Sequence, residues 1–140
     1  MEDRPSVQIL LDTSFLLTML KQHRDPMEEI RAEVPGSVRV LILDLVIYEL
    51  ERLARRASAK TQAFARASLD FLDKRKIPVI EHKPGPSDVD AALIACSQTE
   101  REPTGIATVD RALRFALASQ DVPVIYPKAR RGLVAQRFHF

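Results

Sequence analysis

The sequence predicts an α/β fold in which helices cover both faces of a central parallel sheet of about five strands. Short β-rich runs alternate with amphipathic stretches along the whole chain, which is the pattern of a three-layer α/β/α domain. The β-rich runs are apolar at consecutive positions, as expected for parallel strands that are buried on both faces. The length of 140 residues suits one domain with one hydrophobic core.

The first half of the chain contains two predicted strands. The apolar run "VQILLD" (7–12) predicts a buried strand, and "VRVLILD" (38–44) predicts a second one. Apolar residues at helical spacing predict four helices around these strands, at 13–20, 25–33, 45–57 and 59–75.

The second half continues the alternation with three shorter strands. These are "IPVIE" (77–81), "GIATVD" (105–110) and "VPVIYP" (122–127). Two further helices are predicted between them, at 88–99 and 111–119. The proline- and glycine-rich stretch "EHKPGPSD" (81–88) predicts a loop.

Composition limits the cellular setting and suggests a partner. A single cysteine rules out an internal disulfide and favours a reducing compartment, and neither a membrane span nor a signal peptide is evident, so we expect a cytoplasmic protein. The net charge of +2 divides unevenly, because residues 128–140 carry four basic side chains and no acid. We therefore divide the chain into a body at 1–127 and a basic tail at 128–140, which either binds a polyanion or is a solvated end. The four basic residues are Lys128, Arg130, Arg131 and Arg137.

Three of the five predicted strands run directly into an aspartate, namely Asp12, Asp44 and Asp110. Functional sites in open parallel sheets form beyond the carboxyl ends of the strands. Aspartate is also a favoured helix N-cap, so capping is the alternative explanation for each of them. We interpret Asp44 as a cap and leave both explanations open for the other two.

Two more acids lie within predicted helices. Glu49 borders the apolar face of the helix at 45–57, where a carboxylate loses hydration unless something compensates it. Asp90 follows the predicted N-cap Ser87 and leads directly into the small-residue run "AALIA". Four acids around one cleft would repel one another, and their oxygen atoms suit Mg²⁺ or Mn²⁺. Such a site would carry out metal-assisted hydrolysis of phosphodiesters.

Four motifs, "LLDTSFLL", "LVIYELERLA", "SDVDAALIACS" and "IATVDRAL", resemble in order and spacing the acidic motifs of the PIN-domain nucleases. The resemblance spans roughly residues 7 to 127. It is strongest to the branch of small-subunit rRNA-processing PIN proteins and their archaeal relatives, in which a "TVDR" motif is likewise followed by a short helix and a strand like "VPVIY".

The resemblance implies four residues that are both catalytic and metal-binding: Asp12, Glu49, Asp90 and Asp110. Asp88 competes with Asp90 for the third place, and we prefer Asp90 because it directly precedes the apolar helix. Relatives often carry further acids where this chain has Ala91 and Ala112. This difference leaves open whether one or two metal ions bind.

The remaining polar residues receive supporting or structural interpretations. The hydroxyls of Ser14 and Thr108 could orient Asp12 and Asp110, although capping and β-propensity explain them equally well. The candidates for contact with RNA phosphates are Arg52, Arg55, Arg111, Lys128, Arg130 and Arg131. Cys96 fits a buried thiol, and no chemistry is assigned to His23, His82 or His139.

The resemblance thus implies a divalent-metal-dependent endoribonuclease, acting either in rRNA processing or as a toxin that cleaves RNA. Two alternatives remain: a non-catalytic PIN-like module for RNA binding or assembly, and a phosphoryl-transfer domain with an aspartyl nucleophile. Possible protein partners are a second copy of the chain, an antitoxin or a ribosome-assembly protein. Aromatic residues make up only 6% of the chain, so we expect phosphate contacts to matter more than base stacking.

Overall fold

A six-stranded sheet forms the centre of the computed structural model, which describes residues 6–99 and 102–138. The strands lie in the order β3-β2-β1-β4-β5-β6, and all pairs are parallel except β5 and β6. The strands are β1 Ser6–Leu11, β2 Ser37–Leu43, β3 Val79–Ile80, β4 Thr104–Ala107, β5 Val124–Pro127 and β6 Leu133–Gln136. The predicted α/β class with a mainly parallel sheet is confirmed, and the five predicted strands are joined by a sixth.

In the described part of the chain, six helices flank the sheet at the places where the sequence predicted them. They are α1 Thr13–Lys21, α2 Pro26–Glu33, α3 Asp44–Arg56, α4 Ala59–Lys74, α5 Val89–Thr99 and α6 Arg111–Ser119. Local sequence sets several of their starting points. Asp25 caps α2 by accepting hydrogen bonds from the amides of Met27 and Glu28, and Pro26 occupies the first turn.

The strand order places a topological switch point between β1 and β4. From β1 the chain continues to its neighbour β2 on one side, and from β4 it continues to β5 on the other side. Right-handed crossovers in opposite directions put the connecting helices on opposite faces and open a crevice at the carboxyl ends of β1 and β4. The pairing of Leu11 with Ala107 brings these two strand ends to the same level. Ligand sites in open α/β sheets form in crevices of this kind.

The sixth strand lies in the stretch that the sequence analysis treated as a basic tail. β6 pairs antiparallel with β5, and its first residue, Leu133, is fully buried. Beyond it, the ring of Phe138 lies against Gly105, where an added Cβ would stand 2.6 Å from the ring. Only a residue without a side chain permits this approach. Residues 133–138 therefore pack onto the domain, and residues 128–132, which we call the basic turn, connect β5 to β6.

A buried ion pair holds the basic turn in place. Arg24 and Glu29 are joined at 2.7 Å, and their side chains are 6% and 19% exposed. Arg24 also donates to the carbonyls of Lys128 (2.9 Å) and Gly132 (3.0 Å), while Glu29 accepts from the amide of Gly132 at 2.9 Å. The hydrogen bonds from Arg24 lower the pKa of Glu29 despite its burial. The turn is thus fixed at the carboxyl end of β5, the sheet edge at which the switch-point crevice opens.

None of the helices within the described residues is both long enough and apolar enough to cross a lipid bilayer.

Candidate active site

The switch-point crevice is a cleft of about 470 Å³ whose lining includes five carboxylates. We call it the acidic cleft. Its acids are Asp12, Glu49, Asp88, Asp90 and Asp110, and its other lining residues are Thr13, Ser14, Leu17, Leu53 and Val89. All four acids that the sequence predicted as site residues, together with the competitor Asp88, therefore border one cleft.

Asp12 lies at the end of β1 and is only 6% exposed. It occupies the N-cap position of α1, but its side chain makes no capping hydrogen bond. Instead, its Oδ2 accepts hydrogen bonds from Thr108 Oγ1 at 2.7 Å and from Ser14 Oγ at 2.8 Å. Burial raises the pKa of Asp12, the hydrogen bonds from Thr108 and Ser14 oppose that rise, and the charge of Glu49 adds to it. Capping therefore does not explain this aspartate.

The two hydroxyls that hold Asp12 also join the β1 and β4 edges of the cleft. The amide of Val109 donates to Ser14 Oγ at 3.2 Å, and the amide of Asp110 donates to Thr108 Oγ1 at 3.1 Å. Each hydroxyl donates its one O–H in a hydrogen bond to Asp12, and each accepts a hydrogen bond from one backbone amide. The hydroxyls fix the direction of the carboxylate, as outer-shell partners of metal ligands do.

Asp110 follows β4 and is exposed at the mouth of the cleft. Its Oδ1 accepts the amide of Leu113 at 3.0 Å and so caps α6. The capping explanation is correct for this residue. In the part of the chain that the structure describes, its second oxygen has no hydrogen bond from the protein and remains available to a ligand.

Glu49 enters the cleft from α3, whose buried face includes Val46 and Leu50. Its side chain is 30% exposed, and Oε2 lies 3.9 Å from the guanidinium of Arg52. Attraction at that distance between partly solvated groups is weak. The position of Glu49 beside the apolar face, as read from the sequence, accounts for its partial burial.

Asp88 and Asp90 stand on either side of the start of α5 and have different local roles. Asp88 Oδ2 accepts the amide of Ala91 at 3.0 Å and so caps the helix. The sequence prediction of Ser87 as the cap is therefore wrong by one residue. Asp90 makes no such bond: burial of its carboxyl raises its pKa, and the negative charges of the four other acids raise it further.

The donor set of the cleft suits a hard divalent cation. Carboxylate and hydroxyl oxygens are the ligands that Mg²⁺ and Mn²⁺ prefer, and the described residues that line the cleft include neither histidine nor cysteine. Within residues 6–99 and 102–138, no three acidic, histidine or cysteine side chains are close enough together to hold a bare metal ion directly. Mg²⁺ usually retains several waters and takes only one or two protein carboxylates. The residues thus fit a hydrated ion, with Asp12 and Asp90 the acids whose raised pKa values a cation would relieve most.

The basic residues proposed for RNA contact lie outside the cleft. Arg52, Arg55 and Arg111 are exposed on α3 and α6, and all three charged residues of the basic turn are exposed. Arg137, counted with them in the predicted tail, lies beyond the end of β6, at the opposite edge of the sheet. It forms an ion pair there with Asp121. The tail charges therefore do not act together.

Asp44 and His82 form a pair that the sequence analysis did not predict. Leu43 is the N-cap of α3 and Asp44 its first helical residue, so the expected capping role of Asp44 is wrong by one position. The Asp44 carboxylate nevertheless accepts the amide of Leu45 in the first turn. It also accepts the backbone amide of His82 at 3.1 Å and lies 2.9 Å from His82 Nδ1. Burial acts to raise the pKa of Asp44, but the hydrogen bonds from His82 and Leu45 outweigh it and lower the pKa. The pair anchors the start of the loop that leads to Asp88 and Asp90.

The structure adds one polar residue to the cleft that the sequence analysis did not single out. Thr13 is 5% exposed, and among the described residues its Oγ1 has no hydrogen-bond partner. A buried hydroxyl without a partner is unfavourable unless a ligand or water satisfies it. The hydroxyl directly after Asp12 in "LDTS" was the available sequence signal. Of the other residues without assigned chemistry, Cys96 is half-buried on α5, His23 is exposed, and His139 lies outside the described residues.

Comparisons with known proteins agree with this fold. The sequence model of a family described as PIN-like domain matches residues 9–130. Among solved structures, the PIN domain endonuclease Utp24 superposes with a TM-score of 0.76 at 18% sequence identity. The superposition covers 93% of this chain and 91% of that chain. At this identity the similarity is one of fold. No curated protein sequence matches the chain.

Proposed function

This chain belongs to the PIN-like domain family, as its four acidic motifs predicted, and we propose that it is a divalent-metal-dependent endoribonuclease. The proposal assigns Asp12, Glu49, Asp90 and Asp110 to the catalytic site. Mg²⁺ or Mn²⁺ would be the cofactor. The similarity of the motifs to those of rRNA-processing PIN proteins makes rRNA maturation the first substrate to test, with toxin-type RNA cleavage as the second.

One observation carries this proposal: uncompensated negative charge is concentrated at the topological switch point. Among the described residues, no lysine or arginine forms an ion pair with Asp12, Asp90 or Asp110. Burial raises the pKa of both Asp90 and Asp12, and the like charges of the other acids raise that of Asp90 further. A structural role would favour pairing or neutralising such groups, whereas a cation-binding role explains why the carboxylates are gathered without basic partners.

The residues of the cleft would divide the work between binding and orientation. When bound, a divalent cation supplies neutralisation of charge on the scissile phosphate and lowers the pKa of an attacking water. Asp12 would hold the cation in a direction set by Ser14 and Thr108. Glu49 and Asp90 would complete the negative environment from α3 and α5, and Asp110 would offer the oxygen that does not cap α6. Family resemblance suggests products with 5′-phosphate and 3′-hydroxyl ends.

The first experiment measures cleavage of single-stranded RNA by the purified protein in Mg²⁺ or Mn²⁺ and in EDTA. We expect cleavage only with the metal, because four carboxylates cannot stabilise a phosphate without a cation. Full activity in EDTA would exclude this mechanism. RNA binding without cleavage in either metal would instead support the non-catalytic RNA-binding alternative.

A matched pair of variants then tests the assignment of residues. Asp90→Asn removes a charge from an acid without a capping role, so we expect cleavage to fall by about 10²-fold, at the upper end of losses for groups that support a metal site. Asp88→Asn keeps the cap on α5, since asparagine caps as well as aspartate, and should change cleavage only a few-fold. The reverse ranking would assign Asp88 rather than Asp90 to the site.

A further inference from the structure

A second feature lies beside the acidic cleft, where α6 meets β5 and β6. It consists of Arg111, Arg114, Phe115 and Tyr126, which with Ala118 and Gln136 line a shallow depression. We call these four residues the aromatic patch. Phe115 is 77% exposed, the highest value among the large hydrophobic residues that the structure describes as exposed. A single exposed ring is common on protein surfaces, so the groups around Phe115 decide whether it marks a binding surface.

The cationic and aromatic groups of the patch are organised with respect to each other. The guanidinium of Arg114 lies 4.0 Å from the centre of the Tyr126 ring, which is close cation–π contact. Tyr126 is held in turn by Gln136, whose Nε2 lies 3.3 Å from its hydroxyl. Within the described ranges, no carboxylate forms an ion pair with Arg111 or Arg114. The patch therefore presents an exposed ring next to positive charge that the protein does not neutralise.

The patch is also close to the proposed catalytic centre. Asp110 is the N-cap of α6, so Arg111 is the next residue after a cleft acid. Phe115 follows five residues after Asp110, a rise of roughly 7.5 Å along the helix. On the sheet, Thr108 donates its amide to Ile125 at 3.0 Å, which places Tyr126 beside the strand end that leads to Asp110. A single strand with one phosphate in the cleft therefore passes close to the patch.

We propose that the aromatic patch binds a base of the RNA strand next to the cleavage site, with Phe115 stacking on the base and Arg111 and Arg114 contacting flanking phosphates. The inference rests on the proposed ribonuclease function and adds a base-binding subsite to it. Exposed aromatic rings beside guanidinium groups are the usual surface for unpaired bases. A protein partner would be expected to meet the two arginines with acids, whereas RNA supplies both the negative charge and the flat apolar face. The low aromatic content of the chain therefore does not exclude stacking, because one ring in this position suffices.

The test is a double-mutant cycle between the ring and the base. Binding of short single-stranded RNA is measured by fluorescence anisotropy in EDTA, where the strand stays intact, and again in Mg²⁺ with a gel to check its integrity. Phe115→Ala should weaken binding by about 5- to 150-fold, the range for loss of one stacked base. Phe115→Trp should retain or strengthen binding. Tyr48→Ala, which removes a ring that is 56% exposed on α3, is the control and should have little effect.

RNAs that carry a single abasic nucleotide at successive positions identify the stacked base. One abasic position should weaken binding to the wild-type protein as much as Phe115→Ala does, and should cause no further loss in that variant. Equal losses at every position, or binding by Phe115→Ala equal to that of the wild type, would overturn the inference. A change from dimer to monomer in Phe115→Ala, with RNA binding unaltered, would overturn it in favour of a protein interface.

The outcome is separable from that of the proposed function. If the wild-type protein cleaves RNA and Phe115→Ala binds it normally, the subsite is refuted while the nuclease stands. If the double-mutant cycle shows coupling between Phe115 and one base but no metal supports cleavage, the base-binding subsite is supported and the protein binds RNA without cutting it.

Discussion

Replacing Asp12 with asparagine is the most informative single change in this protein. Asparagine has the same size as aspartate, and its Oδ1 can still accept the two hydrogen bonds that the Ser14 and Thr108 hydroxyls donate to Asp12. The local structure should therefore persist, and the variant differs by one negative charge. Because Asp12 makes no capping bond, the result reports on the cleft and not on the start of α1.

The size and direction of the expected effects follow from this environment. If Asp12 holds the cation, cleavage should fall by about 10²-fold or more, since even groups that only support metal ligands lose 10–100-fold. That factor corresponds to about 2.7 kcal/mol of transition-state stabilisation. The free energy of unfolding should rise, although cleavage falls. The folded state raises the pKa of Asp12 above its ordinary value of 3.8, so the ionised group opposes folding at neutral pH.

Three measurements on this one variant separate the explanations. Cleavage should fall, the melting temperature at pH 7 in EDTA should hold or rise, and RNA binding without metal should hold or improve because one repelling charge is gone. The gain in melting temperature should disappear as the pH approaches 3.8, where the wild-type carboxyl is protonated in the unfolded state as well. Asp70→Asn, on the exposed face of α4, is the charge control and should leave cleavage unchanged. Undiminished cleavage by Asp12→Asn would remove Asp12 from the active site and, with it, most of the case for a nuclease.

Four further predictions follow from other contacts. Truncation after Pro127 should unfold the domain or strongly lower its melting temperature, because it removes β6 and three hydrogen bonds to a buried ion pair, each worth roughly 1.5–3 kcal/mol. Neutralising the three charges of the basic turn should instead preserve stability. It should flatten the salt dependence of RNA binding by about 0.7 in log–log slope for each lost phosphate contact. Thr108→Val should reduce cleavage by about 10- to 100-fold, whereas Thr108→Ser should retain it, since only the serine hydroxyl can still orient Asp12. Equal activity of the two variants would contradict this role. Asp44→Asn should lower the melting temperature at neutral pH. The difference from wild type should shrink as the pH falls below about 3.8, because the lowered pKa of Asp44 stabilises the fold only while the carboxylate is ionised. A difference that does not depend on pH would show that the bond to His82 acts without charge.

The sequence was most informative where a physical pattern repeats along the chain. Consecutive apolar residues predicted the parallel strands, and helical spacing predicted all six helices, because burial dictates residue type throughout these elements. The sixth strand has no such pattern: β6 is four residues long, follows a turn rich in charge, and has only Leu133 fully buried. Its pairing depends on the edge of β5 and on the ion pair between Arg24 and Glu29, residues more than a hundred positions away in the chain.

In the candidate site, too, some features could be predicted from the sequence and others could not. Asp12, Asp90 and Asp110 could be predicted because they stand at strand or helix ends, where topology decides the location, and Glu49 because it borders the apolar face of its helix. What could not be predicted is how each oxygen is used. Both Asp88 and Asp110 cap helices while Asp12 does not, a difference set by hydroxyls and amides that meet only in the folded protein. The contact between Asp44 and His82 was missed for the same reason, since no spacing rule joins residues 38 positions apart.

The arrangement of charge favours an extended polyanion over a small phosphate ester as the substrate. Five carboxylates line the cleft, and no basic side chain among the described residues does. The cations stand around it instead, in the basic turn and on α6. In the proposed nuclease, a mononucleotide in the cleft would depend mainly on the metal for its binding energy, because the residues described as lining the cleft include no basic side chain. A strand can place one phosphate beside the metal while neighbouring phosphates contact the rim, so each flanking contact adds affinity that a monomer lacks. The net charge of +2 conceals this separation, which would let the proposed nuclease distinguish an RNA strand from a small anion.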